Sequence, residues 1–232
     1  MTQLERQTLL IDADDTLWEN NVYFERAIAR FMEMVAPDPE TRPAVREIIN
    51  REERRTIAEC GYGLESFQLA IGRAFRAVAP ERWNPAAEAA IGALAASIAS
   101  EPIEFVPGAE ATLRYLSARH RLILMTKGDF AEQSRKVALS GIGPLFEQVH
   151  VVAEKNTAAY EEKLTHLDSD PLQSWMIGNS PKSDINPALA AGLNAVFIPH
   201  PWTWVLEHDE ILPQPGRQCL HLERFTDLQL HF

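Results

Sequence analysis

The chain has 232 residues, 46% of them hydrophobic, which suits one good-sized globular domain or a core domain carrying an insert. Its net charge is −11, from 22 basic and 33 acidic residues, and no long basic run occurs, so nucleic acid and membrane surfaces are excluded as main partners. Cys60 and Cys219 are isolated and make no metal-ligand spacing, and the amino-terminal "MTQLERQTLL" lacks a secretory apolar region, so a cytoplasmic protein is expected.

The first element is an apolar run, Leu9–Ile11, of strand length. It stops at three aspartates, Asp12, Asp14 and Asp15, whose like charges repel. A segment of about eighty residues with helical periodicity follows, much longer than one crossover needs. Phe24, Ile28, Phe31 and Val35 share one helical face, as do Leu64, Phe67, Ile71, Phe75 and Val78, and again Ile91, Leu94 and Ile98. Breaks at Pro37–Pro43, Cys60–Gly63 and Ala79–Pro85 divide it into four helices, expected to form a small unit over residues 18–100.

Four more apolar runs follow: Leu122–Met125, Val149–Val152, Trp175–Ile177 and Ala195–Ile198. They are near-continuous rather than alternating, as strands covered on both faces are. Asp129, with Glu132 three residues on, predicts the start of one helix between them; Thr157 is the expected cap of the next, and Ser180-Pro181 opens a third. Strand and helix in alternation predict an α/β doubly wound, parallel five-stranded sheet built from residues 1–17 and 101–232.

In such a sheet, ligands bind beyond the carboxyl ends of the strands. There the sequence places Asp12, Asp14 and Thr16; Thr126, Lys127 and Asp129; Glu154 and Lys155; and Asn179, Ser180 and Asp184. Carboxylates call for a cation, and lysines with a hydroxyl call for an anion. A divalent metal beside a phosphate satisfies both, and the cation offsets the repulsion among the aspartates. An EF-hand is excluded, because the sixth and twelfth positions from Asp12 hold Leu17 and Tyr23 instead of glycine and glutamate. No glycine-rich turn follows the first strand, so a dinucleotide or P-loop site is not supported.

These motifs resemble those of the haloacid dehalogenase-like (HAD) superfamily, and the likeness covers nearly the whole chain. "DADDTL" is similar to its first motif, Thr126 to the second-motif Ser/Thr, Lys155 to the third-motif lysine and "GNSPKSDINPALAAG" to the acidic fourth motif. The helical insert resembles a type 1 cap. The resemblance implies a phosphatase of a small soluble phosphomonoester. Asp12 would be the nucleophile and Asp14 the acid and base. Thr126 and Lys155 would hold phosphoryl oxygens. Magnesium, for which manganese can substitute, would be held by Asp12, the Asp14 carbonyl, Asn179 and Asp184. Two positions depart from the pattern: Asp15 stands where glycine is commonest, and Asn179 replaces an aspartate, which removes one charge from the metal site.

Lys127 either meets phosphate or faces water. Asp129 and Ser180 read as helix caps, His200 as peripheral, and Trp18, Trp202 and Trp204 as packing residues. In the Cys60–Gly63 turn, Tyr62 is the side chain expected to touch substrate. Dehalogenases of the superfamily attack carbon, lack an aspartate two residues after the nucleophile and need no metal, so Asp14 favours phosphoryl chemistry. A mutase, and a non-catalytic binding protein on the same fold, are the other competitors.

Overall fold

The computed structural model describes residues 6–232. Residues 1–5, part of the expected core segment 1–17 and of the amino-terminal stretch, lie outside the described residues. The chain divides into two compact units. One runs to Asn21 and resumes at Ile103–Phe232, and the other is Val22–Pro102.

The first unit holds a parallel sheet of β1 (Thr8–Ile11), β2 (Arg121–Lys127), β3 (Gln148–Val152), β4 (Ser174–Gly178), β5 (Asn194–Phe197) and β6 (Cys219–His221). Their order is β3-β2-β1-β4-β5-β6, so β1 lies inside the sheet, with Ile11 paired to Leu124 on one side and Ile177 on the other. Side chains alternate between two cores, as the period of two requires. Leu9, Ile11, Leu122, Leu124 and Ile177 pack with Leu113 and Leu116 of a helix at Ala109–Ser117. Leu10, Ile123, Met125 and Met176 pack on the other side with Tyr160, Leu164 and Leu167 of a helix at Thr157–Leu167. Truncating one of these fully buried residues to alanine costs about 2–5 kcal/mol.

The expected five strands are present, and β6 adds a sixth. Its three residues have no apolar run to announce them, because an edge strand is covered on fewer sides and Cys219 and His221 remain exposed. The same reasoning corrects β3, expected to be covered on both faces: it is the opposite edge, and Val149 is 40% exposed.

The second unit is made of α1 (Asn21–Val35), α2 (Arg42–Cys60), α3 (Leu64–Val78) and α4 (Pro85–Ala99). The helical faces read from the sequence meet in one core, where Phe31 lies against Phe75 and Phe24 packs edge-on to Phe67. Helix α2 shows no apolar stripe because its buried positions mix Val45 and Ile49 with Asn50, Glu52, Glu53 and Thr56.

Four helices follow in the first unit: α5 (Ala109–Ser117), α6 (Phe130–Ser140), α7 (Thr157–Leu167) and the short α8 (Asn186–Ala190). Asp129 caps α6, its Oδ1 accepting from the Glu132 amide at 2.9 Å. The cap of α7 is Asn156 rather than Thr157; Thr157 is the first helical residue, and the Asn156 amide oxygen accepts from the Ala159 amide. Ser180 caps a single wide π-type turn, Pro181–Ile185, which runs into α8. Cys60 and Cys219 are both free. Among the described residues no helix is long and apolar enough to cross a membrane.

Candidate active site

The Asp12 amide donates to the Ile177 carbonyl at 2.9 Å, so the β1–β4 ladder extends one residue past the strand and fixes where Asp12 emerges. The chain then turns sharply. Asp15 has φ +60°, a left-handed conformation that aspartate enters at smaller cost than most residues. Its carboxylate repays that cost locally by accepting from the amides of Asn20 and Asn21 at 2.9 and 3.0 Å. Burial pushes the Asp15 carboxyl up to about 7, against the pull of those two amides.

Lys155 bridges two carboxylates. Its Nζ donates to Asp12 Oδ1 and, at 2.8 Å, to Asp184 Oδ1. All three groups are buried. Burial alone would lower the Lys155 ammonium, but the facing charges of Asp12 and Asp184 hold it above its ordinary value. Burial likewise pushes the Asp12 carboxyl up, against the opposing pull of Lys155. Asp184 Oδ2 accepts from the Ser180 amide at 3.0 Å. This placement depends on Gly178, where a Cβ would lie 2.2 Å from Asp184 Oδ2.

Asp14 is held by a separate set of donors. Trp18 Nε1 reaches Oδ1 at 2.7 Å and Gln133 Nε2 reaches Oδ2 at 2.9 Å. Lys136 Nζ lies 2.9 and 2.8 Å from the two oxygens and 2.8 Å from Asn20 Oδ1. Burial, the largest single influence, would raise the Asp14 carboxyl; the Lys136 charge and the hydrogen bonds from Lys136, Gln133 and Trp18 together outweigh it, and Asp14 stays below the usual carboxylate range. Thr126 joins this group through Gln133, its Oγ1 lying 3.3 Å from Gln133 Oε1.

Asp12, Asp184 and Lys155 thus meet directly, while Asp14 and Thr126 are linked through Gln133. Lys127 pairs with Glu207 and Ser183, both at 2.7 Å. His200 lies against Glu19 and Asp15. Trp18 packs in the core as expected and is also a donor to Asp14; Trp202 is half exposed. Tyr62 belongs to the second unit, in the turn between α2 and α3, where Gly61 and Gly63 both have positive φ. Sequence reasoning missed Gln133, Lys136 and Glu207. The i, i+3 spacing of Gln133 and Lys136 on the helix after Thr126 was the available signal for the first two.

The donor set accommodates a hard cation. Thr16 Oγ1 lies 2.9 Å from Asp12 Oδ2 and 3.2 Å from Asn179 Oδ1. One hydroxyl proton cannot serve both oxygens, so one acceptor is left with capacity for a metal. The Asn179 amide nitrogen donates to Thr203 Oγ1 at 2.8 Å, and its oxygen faces the Thr16 hydroxyl. Both Asp184 oxygens are engaged, by Lys155 and by the Ser180 amide.

Residues 7–192 match the profile of a family described as haloacid dehalogenase-like hydrolase. No curated protein matches the chain. Among solved structures, it is similar to a haloacid dehalogenase-like family hydrolase from Xanthomonas campestris at 23% identity and TM-score 0.81, covering 98% of this chain and 94% of that one. It also resembles the HAD-hydrolase YfnB from Bacillus subtilis, solved bound to magnesium, at 18% identity and TM-score 0.68, covering 98% of both chains. L-2-haloacid dehalogenase from Xanthobacter autotrophicus aligns at 13% identity and TM-score 0.64 over 96% of both. At these identities the solved structures speak to the fold.

Proposed function

The chain belongs to the haloacid dehalogenase-like hydrolases, and from that premise we propose that it is a magnesium-dependent phosphatase of small phosphomonoesters, with Val22–Pro102 as its cap. The observation that carries this reading is Asp14, an ionised carboxylate two residues after the buried nucleophile candidate Asp12.

An Asp12 oxygen attacks phosphorus and the ester P–O bond breaks; the leaving oxygen takes a proton from Asp14, which must first be protonated against the Lys136 charge that keeps it ionised in the free protein. A water oxygen then attacks phosphorus, Asp14 takes the water proton, and the Asp12–phosphorus bond breaks to release phosphate. Lys155, anchored by Asp12 and Asp184, stands ready for the phosphoryl oxygens, with Thr126 and Lys127 as further candidates. Asp12, the Asp14 carbonyl and Asn179 would hold the metal directly, and Asp184 through water. When bound, the metal supplies charge neutralisation for the phosphoryl oxygens. Tyr62 is proposed to touch the leaving group and sort substrates.

Hydrolysis of a 2-haloacid is the competing reaction. The test measures phosphate release from a chromogenic aryl phosphate, and halide release from a 2-haloacid, with magnesium and with excess chelator. Phosphate release that needs the metal and disappears in Asp12→Asn is expected. Halide release that persists in chelator, without phosphatase activity, would replace this reading with dehalogenation.

A further inference from the structure

Lys136 belongs to none of the four motifs, yet its ammonium is fully committed beside the reacting groups. It has three protons and three acceptors within 2.9 Å: both Asp14 oxygens and Asn20 Oδ1. Trp18 and Gln133 each hold one Asp14 oxygen. Among the described residues Lys136 alone spans both oxygens, and it ties them to Asn20, whose backbone N–H donates to the neighbouring Asp15. The carboxylate is therefore fixed in plane and position by α6 on one side and by its own loop on the other.

We propose that Lys136 is a positioning residue that sets where the Asp14 carboxylate stands relative to Asp12. This rests on the phosphatase reading above. The side chains of Lys136 and Asp14 are 19% and 21% exposed, so the pair is largely covered and its loss also costs stability. Its effect on rate is of another size. Displacing a catalytic group by about an ångström costs on the order of 10²-fold. A rate loss of that size, at a temperature where the variant stays folded, separates positioning from a stability effect.

The experiment compares wild type, Lys136→Met, Lys136→Arg, Asp14→Asn and the Asp14→Asn/Lys136→Met double variant on an aryl phosphate at saturating magnesium. Lys136→Met should lower kcat by about 10–100-fold at a temperature well below its melting point, while KM changes by less than about threefold. Lys136→Arg should recover much of the rate, since it keeps the charge and the donors. The double variant should be no slower than Asp14→Asn, because a residue acting through Asp14 has nothing left to act on. The inference is overturned if Lys136→Met turns over within about threefold of wild type, or if the two losses multiply in the double variant. Should Lys136→Met fail to fold, Lys136→Gln carries the same comparison. If the wild type releases no phosphate from any ester, the phosphatase reading falls and takes this one with it. A silent Lys136→Met beside an impaired Asp14→Asn overturns the positioning role alone.

Discussion

Asp15 carries two burdens at once, a left-handed backbone and a buried charge. With its carboxyl raised to about 7, the folded state keeps a proton that the unfolded chain releases near 3.8. Stability contributed by this site therefore falls as pH rises from about 4 to about 7. Asparagine tolerates the same backbone and keeps an oxygen for the Asn20 and Asn21 amides. In metal-free protein, Asp15→Asn should raise the melting temperature by several degrees at about pH 8 and change it little at about pH 4. An equal shift at both values would rule out the buried charge as the cause. Gly178 answers to space instead. A methyl group there would meet Asp184 Oδ2 at 2.2 Å and push that carboxylate off Lys155 and the Ser180 amide. Gly178→Ala should cost about 1–3 kcal/mol in denaturant unfolding and lower turnover on the order of 10²-fold.

Helix α6 presents Gln133 and Lys136 to Asp14 from one face, and Asp129 secures its first turn through the Glu132 amide. Losing that cap should cost about 1 kcal/mol, which for a chain of this size lowers the melting temperature by about 2–4 °C. Asp129→Ala should show that drop and Asp129→Asn should not, because the amide oxygen still accepts. A stability equal to wild type in Asp129→Ala would mean that water replaces the cap. The shift from Thr157 to Asn156 at the start of α7 has a simple origin. Asparagine and threonine are both good caps and stand side by side, so only the Ala159 amide's choice of partner settles the register.

At the scale of the molecule, every reacting group named above lies in the sheet-bearing unit, while Tyr62 lies in the helical one. The proposed function divides the labour, with chemistry in one unit and substrate choice in the other. Tyr62→Ala is then expected to change relative kcat/KM across a panel of phosphate esters while the magnesium concentration for half-maximal activity stays put. A uniform loss would point to general closure, and no change would leave Cys60–Gly63 as a plain turn that needs its two positive-φ glycines.

By itself the sequence determined what is local. Five strands were legible as short apolar runs, the helical insertion as a 3.6-residue period, and the residues at strand ends as the abrupt change from Ile11 to Asp12 or from Gly178 to Asn179. Only the tertiary structure decided the pairings. Asp14 meets Lys136 across 122 positions, Lys155 meets Asp12 across 143, and the Thr16 hydroxyl lies against an asparagine 163 positions away. Such contacts depend on β1 lying between β2 and β4, and no local period encodes which strands become neighbours. The edge strand β6 escaped notice for a related reason: its three residues are held by a ladder to β5 rather than by burial, so its own sequence carries little trace of it.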